Sequence, residues 1–401
     1  MKFILRNARL IPYLTEGYAG EYADILISDG IIEAIMPPGT AVEDIKSADA
    51  GSKTVMPGMF DLHMHLDFFT SDFNAVSVES REPNAVILHA VEAAKEYLSQ
   101  GFTTIRDVGN PYNVGLLVRD GITRGLFDGP RVFTAGQCIT PTARGNDSLP
   151  ELHVEANSPD ELVRVCREQC ARGVDLIKYM GTGSVGGVRG VPGALITTER
   201  ELGTVQRVAE EQGVPVAVHC HGKAGILLCA SLGIRTIEHA SDIDAECVEL
   251  ILRNGGRSAI VPTLGPIGMM REGLLEEAVA KKFQDGASEP QGVHPMVAAS
   301  RDGVLTGWGT DVSLSYYASH VGSEFLLRSA RGYTNEEMLK QATIDSARIL
   351  GVDGELGTVA AGKIADLIIV DGKPDIDITA MTHRPAAVYK RGARCFGEVR
   401  T

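Results

Sequence analysis

The chain has 401 residues, enough for two or three domains or for one large barrel with an appendage. Lysine and arginine number 38 against 52 aspartates and glutamates, a net charge of −14. That balance argues against a nucleic-acid-binding surface, which should be basic, and against docking on anionic lipid. Hydrophobic residues at 44% and charged residues at 22% are ordinary for a globular protein that folds without disulfide staples.

In chain order, residues 1–54 alternate as short β segments: Phe3-Ile4-Leu5, Ile11-Pro12 and Asp24-Ile25-Leu26-Ile27, with a turn at Ser28-Asp29-Gly30. Arg6 and Arg9 stand where a secretory signal would need an apolar run. From Val55 onward one pattern recurs: a glycine, a short apolar β-branched run, polar residues, then a helical stretch. The runs are Gly101-Phe-Thr-Thr-Ile-Arg-Asp107, Pro130-Arg-Val-Phe-Thr-Ala135, Gly173-Val-Asp-Leu-Ile-Lys178, Gly213-Val-Pro-Val-Ala-Val-His219, Gly233-Ile-Arg-Thr-Ile-Glu-His239, Gly256-Arg-Ser-Ala-Ile-Val261 and Gly303-Val-Leu-Thr-Gly-Trp-Gly-Thr-Asp311. Each is too short for a helix and apolar enough for a buried parallel strand, and the glycine reads as the cap of the preceding helix. Ser158 with Glu161 and Thr198 with Glu201 make capping boxes ahead of helical spacings. With the segment from Val55, eight strand candidates alternate with helix or long loop, which predicts a (β/α)8 TIM barrel over 55–354. A doubly wound sheet is the rival, but no G-x-G-x-x-G follows the first strand. Residues 355–401 return to short strands, such as Ala365-Asp-Leu-Ile-Ile-Val370 and Ala387-Val-Tyr389. They are expected to pair with 1–54 in a small β-sandwich beside the barrel. No apolar stretch of about 20 residues offers a membrane span. The seven cysteines, 138, 166, 170, 220, 229, 247 and 395, form no C-x-x-C pair and read as reduced, mostly buried thiols of a cytoplasmic protein. A homo-oligomer is expected.

The chemistry is legible in where polar residues fall. Catalytic groups of a barrel sit at the C-terminal ends of its strands, and five of the eight candidates end in a metal-ligand type. The first carries His63 and His65, on one face by their spacing of two. The fourth ends in Lys178, the fifth in His219, the sixth in His239 and the eighth in Asp311. An ammonium at Lys178, inside an apolar strand, would be costly to bury. Desolvation lowers a lysine pKa, and a neutral amine can add CO2 to become a carbamate, an anionic group able to bridge two metal ions. The alternative for Lys178 is a salt bridge to a carboxylate such as Asp107.

Met56-Pro57-Gly58-Met59-Phe60-Asp61-Leu62-His63-Met64-His65 resembles the first-strand signature of the amidohydrolase superfamily, P-G-x-x-D-x-H-x-H. Ile177-Lys178, Ala217-Val218-His219-Cys220-His221-Gly222, Ile237-Glu238-His239 and Gly309-Thr310-Asp311 match its fourth, fifth, sixth and eighth strands in order, and Gly357 to Val370 resembles its G-T-x-x-x-G-K-x-A-D-L tail. Thr104-Ile105-Arg106-Asp107, Gly129-Pro130-Arg131-Val132, the turn Gly181-Thr-Gly-Ser-Val-Gly-Gly187 and His-x-His-Gly at 219–222 are similar to the prolidase-like branch of dipeptidases and N-acyl-amino-acid hydrolases. The resemblance implies two divalent ions, most simply Zn2+. One would take His63, His65 and Asp311, the other His219 and His239, with carboxylated Lys178 and a hydroxide bridging them.

The expected reaction is hydrolysis of an amide C–N bond in a small molecule, a dipeptide or an N-acyl amino acid. Asp311 would move the proton to the leaving nitrogen, and His221 would face an oxyanion or a substrate carboxylate. Arg144, His153 and His320 are candidate substrate-binding residues in the loops. The branch often carries G-G-H-G-D after the third strand, where this chain reads Thr142-Ala143-Arg144-Gly145-Asn146-Asp147. A deaminase-type member would carry glutamate three residues after His219, where this chain has Gly222. A lactam- or hydantoin-type cyclic-amide hydrolase is one alternative, and a metal-free scaffold is another.

Overall fold

Strands from both ends of the chain share one mixed sheet of eight strands. The computed structural model describes residues 2–42, 45–68, 82–144, 146, 150–184, 190–273 and 293–398. The N-terminal strands are β1 (Lys2–Leu10), β2 (Tyr22–Ser28), β3 (Ile31–Met36), β4 (Lys46–Asp49) and β5 (Thr54–Pro57). β1 pairs antiparallel with β2 and parallel with β4 and β5. β5 then pairs antiparallel with Leu367–Val370, which continues through Ala387–Lys390 to Ala393–Gly397. Phe3, Leu5, Ile25, Val55, Leu367 and Ile369 form the apolar interior of this unit, and Phe3 stacks on Tyr389 with ring centroids 5.8 Å apart. Each such buried side chain contributes about 1.5–3 kcal/mol.

The run beginning at Val55 divides at Pro57-Gly58. Thr54–Pro57 belongs to the terminal sheet, and the first parallel strand is β6 (Met59–Met64). It leads a parallel series with β7 (Phe102–Asp107) and β8 (Arg131–Thr134). β9 (Cys138–Thr140) follows β8 in the chain, after Gly136. It joins β10 (His153–Glu155), β11 (Ile177–Met180), β12 (Val216–Cys220), β13 (Thr236–His239) and β14 (Ala259–Val261) in a second parallel sheet. The Asp175 amide donates to the Thr134 carbonyl between the two sheets, at 2.9 Å.

The eighth expected run has no regular ladder. Thr306 and Gly309 make isolated parallel bridges to Ile260 and Thr263, while the Leu62 amide donates to the Trp308 carbonyl at 2.7 Å. This segment therefore touches both β14 and β6. Gly309 permits the approach: a Cβ there would lie 2.8 Å from the Cβ of His63 and from Val261.

The helices between the strands follow from their caps. Thr198 and Glu201 complete a reciprocal capping box at the helix Glu199–Gln212, whose Leu202, Val205, Val208 and Ala209 are buried. Ser158 accepts from the Glu161 amide, but the Glu161 carboxylate reaches back to the Asn157 amide, so this second box is not reciprocal. Gly213 and Gly233 end the preceding helices in the left-handed conformation, at φ 71° and 66°. All seven cysteines are free, five of them buried. Among the described residues no helix is long and apolar enough to cross a membrane.

Candidate metal centre

His63 and Asp311 come from the two segments that meet at Gly309. Two left-handed residues aim the ligands. Asp311 (φ 53°) and His239 (φ 68°) adopt a backbone conformation that side chains other than glycine disfavour. At His239 the turn lets consecutive residues Glu238 and His239 both reach the same interior. In the eighth segment the amides of Thr310 and Asp311 both donate to the His63 carbonyl, at 3.2 and 2.9 Å.

Two clusters result. In the first, Asp311 Oδ1 lies 3.6 Å from His65 Nε2 and 3.9 Å from His63 Nε2. In the second, His239 Nε2 and His219 Nδ1 are 2.9 Å apart, and the His221 ring stacks on His239 with centroids 4.5 Å apart. Within each of the sets His63, His65, Asp311 and His219, His221, His239, the potential ligand atoms lie within 4.8 Å of one another. The two sets adjoin, since the His63 and His239 ring centroids are 4.5 Å apart. Lys178 on β11 is 2% exposed and sits beside Ala217 in register. It lies inside its strand, which runs to Met180, and not at the strand end as expected.

The electrostatics suit a cation. Burial holds His63, His219 and His239 well below the usual histidine range and takes His65 and His221 down to about 4, so these imidazoles are neutral, as metal ligands must be. Burial also lowers Lys178. It pushes Asp311 up to about 7, with Lys178 acting in the opposite sense. Among the described residues, Lys178 Nζ, His219 Nε2 and His221 Nε2 are buried with no protein hydrogen-bond partner. Buried polar groups are nearly always satisfied. Three partnerless nitrogens beside two ligand-type clusters therefore fit a pair of divalent cations held by imidazole and carboxylate.

Of the loop candidates, His153 opens β10, and its charge bears on His65. Arg144 is exposed. His320 is engaged at the end of its own helix, stacked on Tyr316 at 4.2 Å and bonded to Ser319 Oγ at 2.9 Å. Residues 145 and 147 of the loop after the third strand, and 185–187 of the glycine-rich turn, lie outside the described residues.

Other residues support the ligands. Asp61 accepts from the His63 amide at 3.0 Å and from Thr310 Oγ1 at 2.6 Å, tying the H-x-H strand to the segment that carries Asp311. Thr263 Oγ1 and the Gly109 carbonyl hold the Nδ1 atoms of His239 and His65, at 2.7 and 2.6 Å. Arg106 and Glu238 are a buried ion pair. Charged residues inside apolar strands were the available signal.

Gly222 faces a second loop. Gly183 and Ala194 pair at 2.9 Å, and Gly193 lies directly against Gly222, so a Cβ at 222 would run into the Gly193 carbonyl.

Comparison with known proteins agrees with this geometry. Ochratoxinase from Aspergillus niger is 28% identical, over 98% of this chain and 86% of its own. A 5-methylthioadenosine/S-adenosylhomocysteine deaminase from Symbiobacterium thermophilum is 33% identical, over 95% of this chain and 88% of its own. The crystal structure of a Xaa-Pro dipeptidase with bound methionine superposes with a TM-score of 0.86 at 28% identity, covering 98% of this chain and 99% of that one. The ochratoxinase and the Xaa-Pro dipeptidase accord with the prolidase-like branch that the motifs resemble, and support action on a C–N bond. The profile of the Amidohydrolase family matches residues 54–394, and with the H-x-H, lysine, histidine, histidine and aspartate set in place the chain belongs to that family.

Proposed function

We propose that the protein is a binuclear metal-dependent amidohydrolase that cleaves the amide bond of a dipeptide or an N-acyl amino acid. In this reading the parallel strands close into a (β/α)8 barrel over 55–354, flanked by a small β-sandwich from 1–54 and 355–401. The ion pair between Arg106 and Glu238, which reaches from the second strand to the sixth, supports closure because those strands face each other across such a barrel. The observation that carries the function is the convergence of His63, His65 and Asp311 with His219, His221 and His239 around the buried amine of Lys178.

His63, His65 and Asp311 would hold one cation and His219 and His239 the other. Lys178, once its neutral amine has added CO2 and released a proton, would supply a carboxylate to both. Divalent ions bound there, Zn2+ by the ligand types, supply an acidified water and polarise the amide carbonyl. The chain's own residues do the rest. Asp311 accepts the proton from the attacking water and returns it to the departing nitrogen, a task suited to a carboxylate whose Oδ1 lies within 4 Å of both His63 Nε2 and His65 Nε2. His221, fixed through Nδ1 by Ser241 Oγ at 2.8 Å, keeps Nε2 available to donate to a developing oxyanion or to receive a third contact in the second cluster. The loop at Gly193 fills the space over Gly222 where a deaminase would project its acid.

The test is a panel of dipeptides and N-acyl amino acids, with lactams and hydantoins beside it, assayed on protein reconstituted with Zn2+ or Mn2+ in the presence of bicarbonate. Release of the amine from an acyclic amide, with two ions per chain by elemental analysis, is the expected result. Turnover of the cyclic amides alone would move the assignment to ring opening. A chain that binds no divalent ion would sink the proposal.

A further inference from the structure

Resting on the metal-dependent reading but concerned with residues it does not use, we infer that Arg106 and Glu238 are positioning residues. Together they fix the tautomer and the backbone of His63, so that Nε2 is presented to a cation.

The three groups are almost completely buried: the side chains of His63 and Glu238 are 1% and 0% exposed, and that of Arg106 is 4% exposed. Glu238 Oε2 lies 2.8 Å from His63 Nδ1. A carboxylate can only accept, so the ring proton sits on Nδ1 and the lone pair on Nε2, which faces Asp311. The carboxylate has no freedom to do otherwise. Its Oε1 accepts from Arg106 Nη2 at 2.8 Å and from Thr236 Oγ1 at 2.5 Å, and its Oε2 also accepts from Arg106 at 3.0 Å.

Arg106 grips His63 from a second side. Its Nε donates to the carbonyl of Leu62, the preceding residue, at 2.6 Å, and its Nη1 donates to Thr236 Oγ1 at 3.0 Å. A clamp between the second and sixth strands would need only the contacts among Arg106, Thr236 and Glu238. The bond to His63 exceeds that need. It also differs in kind from the supports of the other rings: His65 leans on a carbonyl and His239 on a hydroxyl, whereas His63 leans on an anion. Outer partners of this sort orient a ligand ring and raise its basicity.

The test compares metal-reconstituted wild type with Glu238→Gln and with the double variant Arg106→Met/Glu238→Leu. The double change replaces the ion pair by apolar groups of similar size, an exchange that buried pairs often tolerate. Zn2+ affinity is read by competition with a chromophoric chelator, and folding by thermal unfolding of the metal-stripped proteins. A positioning role lowers the affinity of one of the two ions about 10–100-fold while the double variant melts near wild type. Wild-type affinity for both ions in either folded variant would overturn the inference.

A third measurement needs no variant fold. The 15N imidazole shifts of the metal-free wild type, with His63 assigned by its loss in His63→Asn, should show the neutral ring protonated at Nδ1. A ring protonated at Nε2 alone overturns the inference whatever the variants do. The outcomes also separate the two readings. A wild type that binds no ion defeats the proposed function, whereas two ions bound equally well by all three proteins defeat only this inference.

Discussion

In the terminal sheet the buried charges are closed on themselves. Arg9 is bidentate to Asp375 at 2.7 and 2.8 Å and reaches Glu21 and Thr54, while the wholly buried Asp24 accepts from Arg6 and from the Asn7 and Gly39 amides. In the parallel strands and just beyond them the opposite holds: among the described residues, Lys178 Nζ, His219 Nε2 and His221 Nε2 are buried atoms that meet no protein partner. Both regions bury costly groups. The first recovers that cost within the chain, as a stable scaffold must, and the second leaves donors and lone pairs aimed at one space. Satisfaction, more than burial, separates structural charge from chemical charge here.

The sharpest way to break this contrast is Lys178→Met. If the amine serves the reaction, hydrolysis should fall below detection in the assay of the dipeptide panel. Because the variant removes a buried nitrogen with no partner, the metal-stripped protein should melt higher, by the equivalent of about 1–3 kcal/mol. A structural lysine would give the reverse stability change. Loss of activity with a lowered melting point would place Lys178 with the terminal-sheet charges.

Asp311→Asn comes next. Asparagine has nearly the shape of aspartate and keeps one oxygen able to face a cation, and His63 and His65 remain, so the fold and most bound metal should persist. Turnover should drop about 100- to 10,000-fold if the carboxylate carries the proton. Near-normal turnover at full metal content would make Asp311 a ligand only.

How much of this was legible in the sequence follows the same division. The alternation of glycine-capped helices and apolar runs could be read because its determinants are local, although Lys178, expected at a strand end, lies inside its strand. The ion pair of Arg106 and Glu238 could not, since its partners are 132 residues apart and meet only when the second and sixth strands are both in place. Nor could the aiming of Glu238 and His239 into one interior, which depends on a left-handed backbone at a residue that does not favour it. The break at Pro57-Gly58 was hidden for another reason: Val55 and Phe60 look alike in an apolar run, yet they belong to different sheets. The irregular eighth segment shows why loop readings were weaker still. Its position is set by close contact at Gly309, and nothing in its composition announces it. Arg144 stands exposed in its loop.

Gly222→Glu tests the loop rather than the ligands. The new side chain cannot share space with the Gly193 carbonyl, so the loop must shift, at about 1–3 kcal/mol of overpacking. Amide hydrolysis should weaken chiefly through KM, and no deamination of an aminopurine should appear. Gain of deamination would show that the missing carboxylate alone had barred that chemistry and that the loop yields to it.

The smallest effect belongs to the closed region and sharpens the comparison from its other side. Asp375→Asn removes one arm of the Arg9 fork but leaves Glu21 beside it, so the loss should be about 1–2 kcal/mol, with kcat and KM unchanged. The pH dependence has a definite sign. The hydrogen bonds from Arg9 hold the Asp375 carboxyl below the ordinary range in the folded protein. Its contribution is therefore complete above the unfolded value of about 4 and disappears as pH falls through the lower folded value. Wild type should melt above the variant at neutral pH, by a few degrees, and the two curves should converge in strong acid. A gap that stayed constant down to pH 2 would mean that the ion pair adds nothing and that the substitution acts through packing alone.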